Sequence, residues 1–379
     1  MYRTPKIPLS GLLLATWAFA QTAAPPADDA KLLERAREIH KKIVAFDSHT
    51  DITFDFEGGA VDGKSQLDLP KVSRGGLKGA AIAVFVPQGP RTPEGFAKAR
   101  ADAERKYDLI KAIAAQNPDK AEIAYSAEDV KRIAAGGKFA IAISILNAYP
   151  LGADLSQIDA WYGKGVRILG FVHAGHNDWA DSSRPNAKLG NQLAEHNGLS
   201  PLGVEGVKRL NELGVLIDVS QLSSPAFKQV LSLTKAPVAA THSGVKGIVD
   251  NPRNLSDDEL DMIRKNDGVA QMVAFGNYVR PVPTAAEAPR ATVAQFVNTI
   301  DYAVKKIGVD HVGISSDFNH GGGVIGWNNE GEAMNVTVEL LRRGYSENDI
   351  GKLWGGNFLR VWAKAQSLAT DPKARQTTH

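Results

Sequence analysis

The 379-residue chain contains no cysteine, so it can form no disulfide and offers no thiolate to a metal ion. It also lacks a strong charge of one sign: 44 basic and 42 acidic residues leave a net charge of +2. No basic field therefore indicates a nucleic-acid partner or an acidic membrane surface. There is no internal repeat and no low-complexity tract. At 43% hydrophobic and 23% charged residues, the composition is that of an ordinary globular protein.

The first twenty residues differ in character from the rest of the chain. Arg3 and Lys6 precede an apolar stretch that ends at Ala20 in a small-x-small tripeptide. This pattern is typical of a secretory signal peptide, and the stretch is too short for a good membrane span. We therefore expect residues 1–20 to be a signal peptide, residues 21–30 to be a flexible leader rich in Ala and Pro, and the mature protein to be periplasmic.

Eight apolar runs alternate with helical stretches in the remainder of the chain. The runs are 43–45, 77–86, 139–146, 166–172, 215–219, 237–240, 269–275 and 312–314. The helical stretches include 31–42, 93–116, 203–213, 257–265, 292–306 and 333–343, and Ser126 caps another. Nearly continuous apolar strands are typical of a parallel sheet with both faces covered.

This alternation predicts an α/β fold, a (β/α)8 TIM barrel, in one domain over residues 31–370. The alternative is an open doubly wound sheet, but no Gly-x-Gly-x-x-Gly motif follows an early strand. We expect residues 371–379 to be a disordered tail.

In such a barrel the functional side chains stand at the carboxyl ends of the strands. The residues at these ends are His49 and Asp51, Leu146 and Asn147, His173, Gln221, His242, and Asp317. Residues two apart on a strand face the same side, so His49 and Asp51 are expected to point into one space. A lone histidine at a strand end is more often a core residue. Several histidines and carboxylates converging on one mouth instead favour a divalent metal site, with zinc as the first candidate.

Several short motifs in a fixed order carry a family resemblance. They are DSHTD at 47–51, FVH at 171–173, WADS at 179–182, GLSPLG at 198–203, IDVS at 217–220, ATHS at 240–243, PRNL at 252–255, VGISSDF at 312–318 and GNFLRV at 356–361. On these motifs the chain resembles the membrane (renal) dipeptidase family, zinc peptidases with an amidohydrolase-like barrel. The resemblance runs from about residue 40 to about residue 365.

The resemblance implies metal ligands and catalytic roles. His49, Asp51 and Asp317 match ligands of a first zinc ion, and His242 matches a ligand of a second. Asp317 also matches the group that handles the proton of the attacking water. A bound metal generates hydroxide near neutral pH and polarises the scissile carbonyl, and a nearby carboxylate moves protons.

Two further matches concern the substrate. His173 matches the histidine that binds the substrate and steadies the tetrahedral intermediate, so it counts as both a catalytic and a substrate-binding residue. Arg253 matches the arginine that holds the free carboxylate of the substrate, a role that suits the planar guanidinium.

The sequence departs from the family pattern at two metal-binding positions. Leu146 stands where the family has a glutamate that bridges both metals, and Asn147 faces the opposite side of the strand, so it is a doubtful replacement. Gln221 stands where the family has a histidine, and an amide oxygen is a poorer zinc ligand than imidazole. We therefore expect one tightly bound zinc and a doubtful second site, unless a loop residue substitutes. The loop candidates are His176, Asp178 and His320.

These observations favour metal-dependent hydrolysis of dipeptides by a metal-bound hydroxide. One alternative is a catalytically impaired homologue that binds small carboxylates, which Leu146 and Gln221 favour. Another is a different amidohydrolase chemistry, such as lactone or imide hydrolysis, although Arg253 favours a substrate with a free carboxylate. The expected partners are small molecules, with no nucleic acid and no membrane span in the mature chain. The resemblance allows a homodimer.

We expect the exported protein to begin at Gln21, because signal peptidase cleaves after a small-x-small sequence such as that ending at Ala20. N-terminal sequencing of the protein from a periplasmic extract measures this directly. Soluble protein that retains Met1 in the cytoplasmic fraction would contradict the expectation.

Overall fold

The computed structural model describes residues 27–281 and 290–376. The predicted signal peptide, residues 1–20, lies outside the described residues, as does most of the predicted leader. Within the described ranges, no helix is both long enough and apolar enough to cross a membrane.

Nine parallel strands form the sheet at the centre of the molecule. They are β1 (Phe46–Thr50), β2 (Gly79–Phe85), β3 (Ala121–Ala124), β4 (Phe139–Leu146), β5 (Val166–Gly170), β6 (Leu216–Asp218), β7 (Ala239–Ser243), β8 (Val269–Val273) and β9 (Val312–Ser315). Eight of them follow one another around the barrel in the order β1-β2-β4-β5-β6-β7-β8-β9, and β3 pairs only with β4.

Two backbone hydrogen bonds join the last strand to the first. The amide of Asp317 donates to the carbonyl of His49 at 3.0 Å, and the amide of Asp51 donates to the carbonyl of Phe318 at 3.0 Å. These bonds connect the segments that leave β9 and β1. The predicted (β/α)8 barrel is confirmed. Seven of the eight predicted apolar runs overlap strands of the ring, and the run 43–45 ends just before β1.

Helices alternate with the strands. They are α1 (Ala27–Lys42), α2 (Leu69–Gly75), α3 (Pro93–Gln116), α4 (Ala127–Ala135), α5 (Ser156–Gly163), α6 (Pro201–Leu213), α7 (Ser224–Leu233), α8 (Asp257–Lys265), α9 (Gly276–Val279), α10 (Val293–Ile307), α11 (Met334–Arg342), α12 (Glu347–Gly351), α13 (Asn357–Ser367) and α14 (Pro372–Gln376). Short 3-10 turns occupy Tyr149–Leu151, Ala187–Leu189, Val309–His311 and Glu330–Glu332, and a π-helical turn occupies Lys352–Gly356.

Side-chain caps explain why several of these helices begin where the sequence predicts. The hydroxyl of Ser126 accepts from the amide of Asp129 at the start of α4. At α8, Ser256 and Glu259 cap each other's backbone amides in a capping box. Each cap satisfies amide groups that have no partner within the first helical turn.

The first strand begins later than the sequence predicts. The amide of Ile43 donates to the carbonyl of Ile39 at 3.0 Å, so the apolar run 43–45 starts by continuing the turn of α1. β1 therefore begins at Phe46, and His49 lies inside the strand instead of after it. An apolar run that packs a helix end has the same composition as a short strand, which explains the error.

The ends of the chain also differ from the prediction. Helix α1 begins at Ala27, so residues 27–30 of the predicted leader are helical. Helix α14 lies inside the predicted tail, where the backbone amide of Asp371 donates to the carbonyl of Glu212 at 2.9 Å. The tail is therefore attached to α6 over part of its length.

Apolar side chains fill the amino-terminal end of the barrel. One cluster joins strand residues to α13: Phe46, Ala81, Ala140, Ile168, Leu216, Ala239, Val269, Phe358 and Trp362. The rings of Phe46 and Phe358 stack with centroids 5.4 Å apart. With this end filled and covered, the polar strand-end side chains gather at the opposite, carboxyl-terminal mouth.

A buried histidine connects α1 to the outer helices. His40 Nε2 lies 2.7 Å from the hydroxyl of Thr337, which also accepts from the indole of Trp354 at 2.8 Å. Burial lowers the pKa of His40 from its ordinary 6.5 to about 4, because the charged ring would lose its hydration there.

We expect His40 to make folding less favourable in acid. Its pKa is lower in the folded state, so between pH 6.5 and 4 the unfolded chain binds more protons. The free energy of unfolding therefore has its full value above pH 6.5, and protonation of the unfolded chain lowers it by about 3 kcal/mol as the pH decreases towards 4. Urea unfolding of wild type and His40→Gln over this range measures the effect as a difference, so other buried groups cancel. Free energies of unfolding that change in parallel would contradict it.

Candidate active site

Three strand-end residues at the mouth have left-handed backbone conformations. Asn147 follows β4 with φ 77°, Gln221 lies three residues after β6 with φ 71°, and Asp317 lies two residues after β9 with φ 55°. This region is uncommon for residues other than glycine, and glutamine gains no special tolerance of it. A strained backbone of this kind persists only where neighbouring residues hold it in place, and it is typical of functional sites.

His49, His242 and Asp317 lie together in the mouth. The rings of His49 and His242 are nearly parallel with centroids 3.9 Å apart, and His49 Nε2 is 3.7 Å from Asp317 Oδ1. Burial lowers the pKa of His49 to about 3, lowers that of His242 well below its ordinary value, and raises the pKa of Asp317 to about 7. Both imidazoles are therefore neutral at physiological pH, and Asp317 exchanges its proton near neutrality.

Asp51 forms an ion pair with a buried lysine. Its Oδ1 accepts from Lys106 Nζ at 3.0 Å and from the amide of Ile52 at 2.7 Å. Lys106 projects from α3, is 3% exposed, and also donates to the carbonyl of Ile52. Its ammonium lies 4.6 Å from the centre of the Phe54 ring. Asp51 is thus the acidic member of a buried ion pair.

A chain of hydrogen bonds fixes the orientation of His242. Thr241 donates its only hydroxyl hydrogen to Asp218 Oδ2 at 2.6 Å, so the contact of 2.8 Å to His242 Nδ1 requires that nitrogen to donate. His242 Nε2 then carries a lone pair, and Gln221 Nε2 donates to it at 3.0 Å. Arg184 Nη2 donates to Gln221 Oε1 at 2.8 Å and so fixes which end of the amide faces the histidine.

Apolar side chains occupy the position predicted for a bridging carboxylate. Leu146 pairs with Phe85 across β4 and β2, and the two pack together with Ala83. The Phe85 ring lies 4.6 Å from His173 and 4.3 Å from His320, measured between ring centroids. This part of the mouth is an apolar wall bounded by two imidazoles.

Asn147 does not replace the missing carboxylate. Its amide nitrogen donates to the carbonyl of Val86 at 3.0 Å, and its oxygen accepts from Asn177 Nδ2 at 3.0 Å. Both contacts tie the turn after β4 to neighbouring backbone and loop, which leaves the amide no role as a bridge.

Of the three loop residues that might have substituted as ligands, one lies in the mouth. His176 Nδ1 accepts from the amide of Ser182 at 2.9 Å, and Asp178 lies 3.6 Å from Arg91, so both hold the loop after β5. His320 Nδ1, by contrast, lies 3.5 Å from Asp51 Oδ2, and its ring centroid is 5.1 Å from that of His173.

The residues present do not fit the metal centre that the resemblance implies. Asp51 is paired with Lys106, the Nε2 lone pair of His242 accepts from Gln221, and Leu146 has no donor atom. Across residues 27–281 and 290–376, no three His, Asp or Glu side chains are arranged to hold a metal ion. The three-ligand first site predicted from His49, Asp51 and Asp317 is therefore not assembled.

A buried arginine faces a cavity next to this cluster. Arg253 is 3% exposed, donates through Nη2 to the carbonyl of His242 at 3.0 Å, and lies over the Tyr278 ring at 5.3 Å. Its Nε and Nη1 have no partner among the described residues. The cavity of about 260 Å³ is lined by Arg253, Gln221 and Lys246, and by Ser183 and Ser243, whose hydroxyls also lack partners in the described part of the chain.

Two functional side chains escaped the sequence reasoning. Arg184 stands in a loop with no periodic pattern, and nothing in the sequence places it beside His173, whose Nε2 is 3.5 Å from Arg184 Nη2. Lys106 did carry a signal, because it continues the buried face of α3 formed by Ala103, Ile110 and their neighbours. A lysine on an apolar helix face predicts a buried partner.

Comparison with known proteins agrees with the barrel and with the family resemblance. The family model described as membrane dipeptidase (peptidase family M19) matches residues 33–376. Dipeptidase tcpJ of Claviceps purpurea is 30% identical over 316 residues, which is 81% of this chain and 71% of that protein.

Solved structures show the same architecture. The probable dipeptidase PvdM from Pseudomonas aeruginosa is 43% identical with a TM-score of 0.87, over 90% of this chain and 100% of that one. A metallo peptidase from Rhodobacter sphaeroides, liganded with a phosphinate mimic of the dipeptide L-Ala-D-Ala, is 22% identical with a TM-score of 0.74, over 85% and 99%. This second likeness concerns the fold alone. With the family model matching nearly the whole chain, the protein belongs to the membrane dipeptidase family.

Proposed function

We propose that the protein hydrolyses dipeptides, or closely related small amides with a free carboxylate, at the carboxyl-terminal mouth of the barrel. The observation that carries this proposal is Arg253, a buried guanidinium with two nitrogens that lack partners among the described residues. A buried charge is costly unless it is paired, so a cation in this state favours an anionic ligand. Family membership supports dipeptides as the ligands.

The cavity limits the size of the ligand. Its volume of about 260 Å³ is below the range typical of drug-sized ligands. The unpartnered hydroxyls of Ser183 and Ser243 offer further donors beside Arg253. A carboxylate bound to the guanidinium would satisfy several of these groups at once.

The residues that would act on the amide bond are Asp317, His173 and Arg184. Asp317, with its pKa raised to about 7 by burial, takes or returns a proton near neutral pH. Arg184, whose Nη2 is 3.5 Å from His173 Nε2, is the donor that we assign to the developing oxyanion, and His173 positions it. We assign no step to a metal ion, because Asp51 and His242, two of the four ligands that the resemblance implies, are bonded to Lys106 and Gln221. The sequence predicts one bound zinc, whereas this donor geometry argues against it.

A second candidate is binding of small carboxylates without hydrolysis. The apolar wall of Leu146, Phe85 and Ala83 favours it, because no carboxylate stands where the family pattern has one. Export to the periplasm remains part of both proposals and depends on the N-terminal sequence alone.

We expect Arg253→Ala to raise the KM for L-Ala-L-Ala with a smaller loss of kcat, because the arginine holds a group remote from the scissile bond. Truncating one partner of a desolvated charge pair costs ~2–5 kcal/mol. Arg264→Ala is the control, because the exposed side chain of Arg264 pairs with Asp261 on the surface of α8. Amidation of the substrate's carboxyl group should have the same effect on the wild-type enzyme. Equal kinetics for the amide and the free dipeptide would reject the role of Arg253.

Asp317→Asn separates the two candidate functions. Asparagine keeps the shape of the side chain but cannot exchange a proton, so for a hydrolase we expect dipeptide turnover to be lost while calorimetric binding is kept. Asp261→Asn on the exposed face of α8 is the control. Dipeptide binding by the wild type with no release of free amino acids would favour the second candidate.

A further inference from the structure

We propose that Lys106, Gln221 and Arg184 take the place of bound metal ions in this chain, so that the barrel mouth holds a small carboxylate without a divalent metal. The carboxylate part of this proposal rests on the proposed function, whereas the metal part depends only on the donor geometry. Lys106 and Gln221 each hydrogen-bond to a donor that the family pattern assigns to metal, and Arg184 holds Gln221 in that orientation.

Lys106 supplies the positive charge beside Asp51. Its ammonium reaches Asp51 Oδ1 and the carbonyl of Ile52, and the face of the Phe54 ring gives a third contact. At 3% exposure the ammonium is shielded from solvent, so its charge is weakly screened. A divalent ion on Asp51 would be repelled by the ammonium and would have to share a carboxylate that is already paired.

Gln221 performs the corresponding task at His242. The direction of hydrogen bonding along Asp218, Thr241 and His242 leaves a lone pair on Nε2, the form of imidazole that binds metals. That lone pair accepts the amide hydrogen of Gln221 at 3.0 Å. Arg184 prevents the amide from turning its oxygen to the histidine, because the guanidinium holds Gln221 Oε1 at 2.8 Å.

These contacts are more than isolated surface ion pairs. They coincide at three separate strand ends with positions of the family metal pattern: Asp51 after β1, Leu146 at the end of β4, and Gln221 after β6. Gln221 also keeps a left-handed backbone, with φ 71°, to reach its partners. A structural ion pair would account for one of these positions. It would not explain why all three metal-binding positions are either substituted or already hydrogen-bonded.

Metal content of the full chain tests the proposal first. The exported protein is purified without chelator, equilibrated with excess zinc, desalted and measured by elemental analysis, and the visible absorption after cobalt addition gives a second readout. We expect zinc far below one ion per chain and no intense tetrahedral cobalt bands. One or more zinc ions per chain would overturn the proposal.

A restoring variant tests whether these residues exclude the metal. Lys106→Met, Leu146→Glu, Gln221→His and Arg184→Leu are combined, and folding is checked by circular dichroism. We expect at least one zinc per chain. Lys98→Met is the matched control, because Lys98 is an exposed lysine on α3 that pairs with Asp102. A folded variant that still takes up no zinc would overturn the proposal. If the combination does not fold, the single variants Lys106→Met and Gln221→His decide, and failure of both to gain zinc affinity overturns it equally.

Ligand binding distinguishes this inference from the proposed function. Calorimetric titration with L-Ala-L-Ala in EDTA and in zinc buffer should give the same affinity for the wild type. Binding about tenfold weaker in EDTA would overturn metal independence. Absence of binding in both buffers would overturn the carboxylate part together with the proposed function, while the metal content would still decide the metal part.

Discussion

Charged groups buried in the barrel mouth must find a counter-charge, a donor or a proton within the protein, because water cannot solvate them there. The carboxyl groups and imidazoles of the mouth meet this requirement in different ways. Asp51 has the ammonium of Lys106, and Asp317, which has no such partner, has a pKa raised to about 7. The imidazoles of His49 and His242 remain neutral because burial lowers their pKa values. The arrangement of the whole site follows from this need for neutralisation.

Closure of the barrel brings these groups together. The hydrogen bond from the amide of Asp317 to the carbonyl of His49 belongs to the contact between the first and last strands, and it places their side chains 3.7 Å apart. The left-handed turn at Asp317 then directs the carboxyl group inward, as the turn at Gln221 directs an amide. The same backbone contacts close the barrel and position the site, so a change in β1 or β9 would alter both.

Much of the architecture could be predicted from local sequence, because caps and apolar runs act over a few residues. The bounds of α3 and α8 follow from Thr92 and Ser256, whose side chains cap the first turns. The strand β3 was missed, because Ala121–Ala124 is short and half-exposed and pairs only with the beginning of β4. The first strand was predicted too early in the chain, because the apolar run 43–45 begins by continuing the last turn of α1.

The state of the site could not be predicted in the same way. The pair of Asp51 and Lys106 joins residues 55 positions apart, and the contact of Arg184 with Gln221 spans 37. Sequence motifs show which residue types stand at each strand end. Whether those residues are free to bind a ligand depends on hydrogen-bond donors from other helices and loops, which the motifs do not show. The sequence therefore indicated four candidate metal ligands, whereas the structure has two of them already bonded to other side chains.

The substitutions in the mouth are understandable only as a set. Loss of a bridging carboxylate at Leu146 lowers the negative charge of the site, and Lys106 offsets the carboxylate that remains at Asp51. Gln221 brings no charge of its own, yet its amide needs an acceptor and a donor, which His242 and Arg184 provide. With these groups satisfied, Arg253 remains as a buried cation whose Nε and Nη1 have no partner in the described ranges. Arg184 Nε likewise has no partner there, so the two guanidinium groups of the mouth still require an anionic ligand.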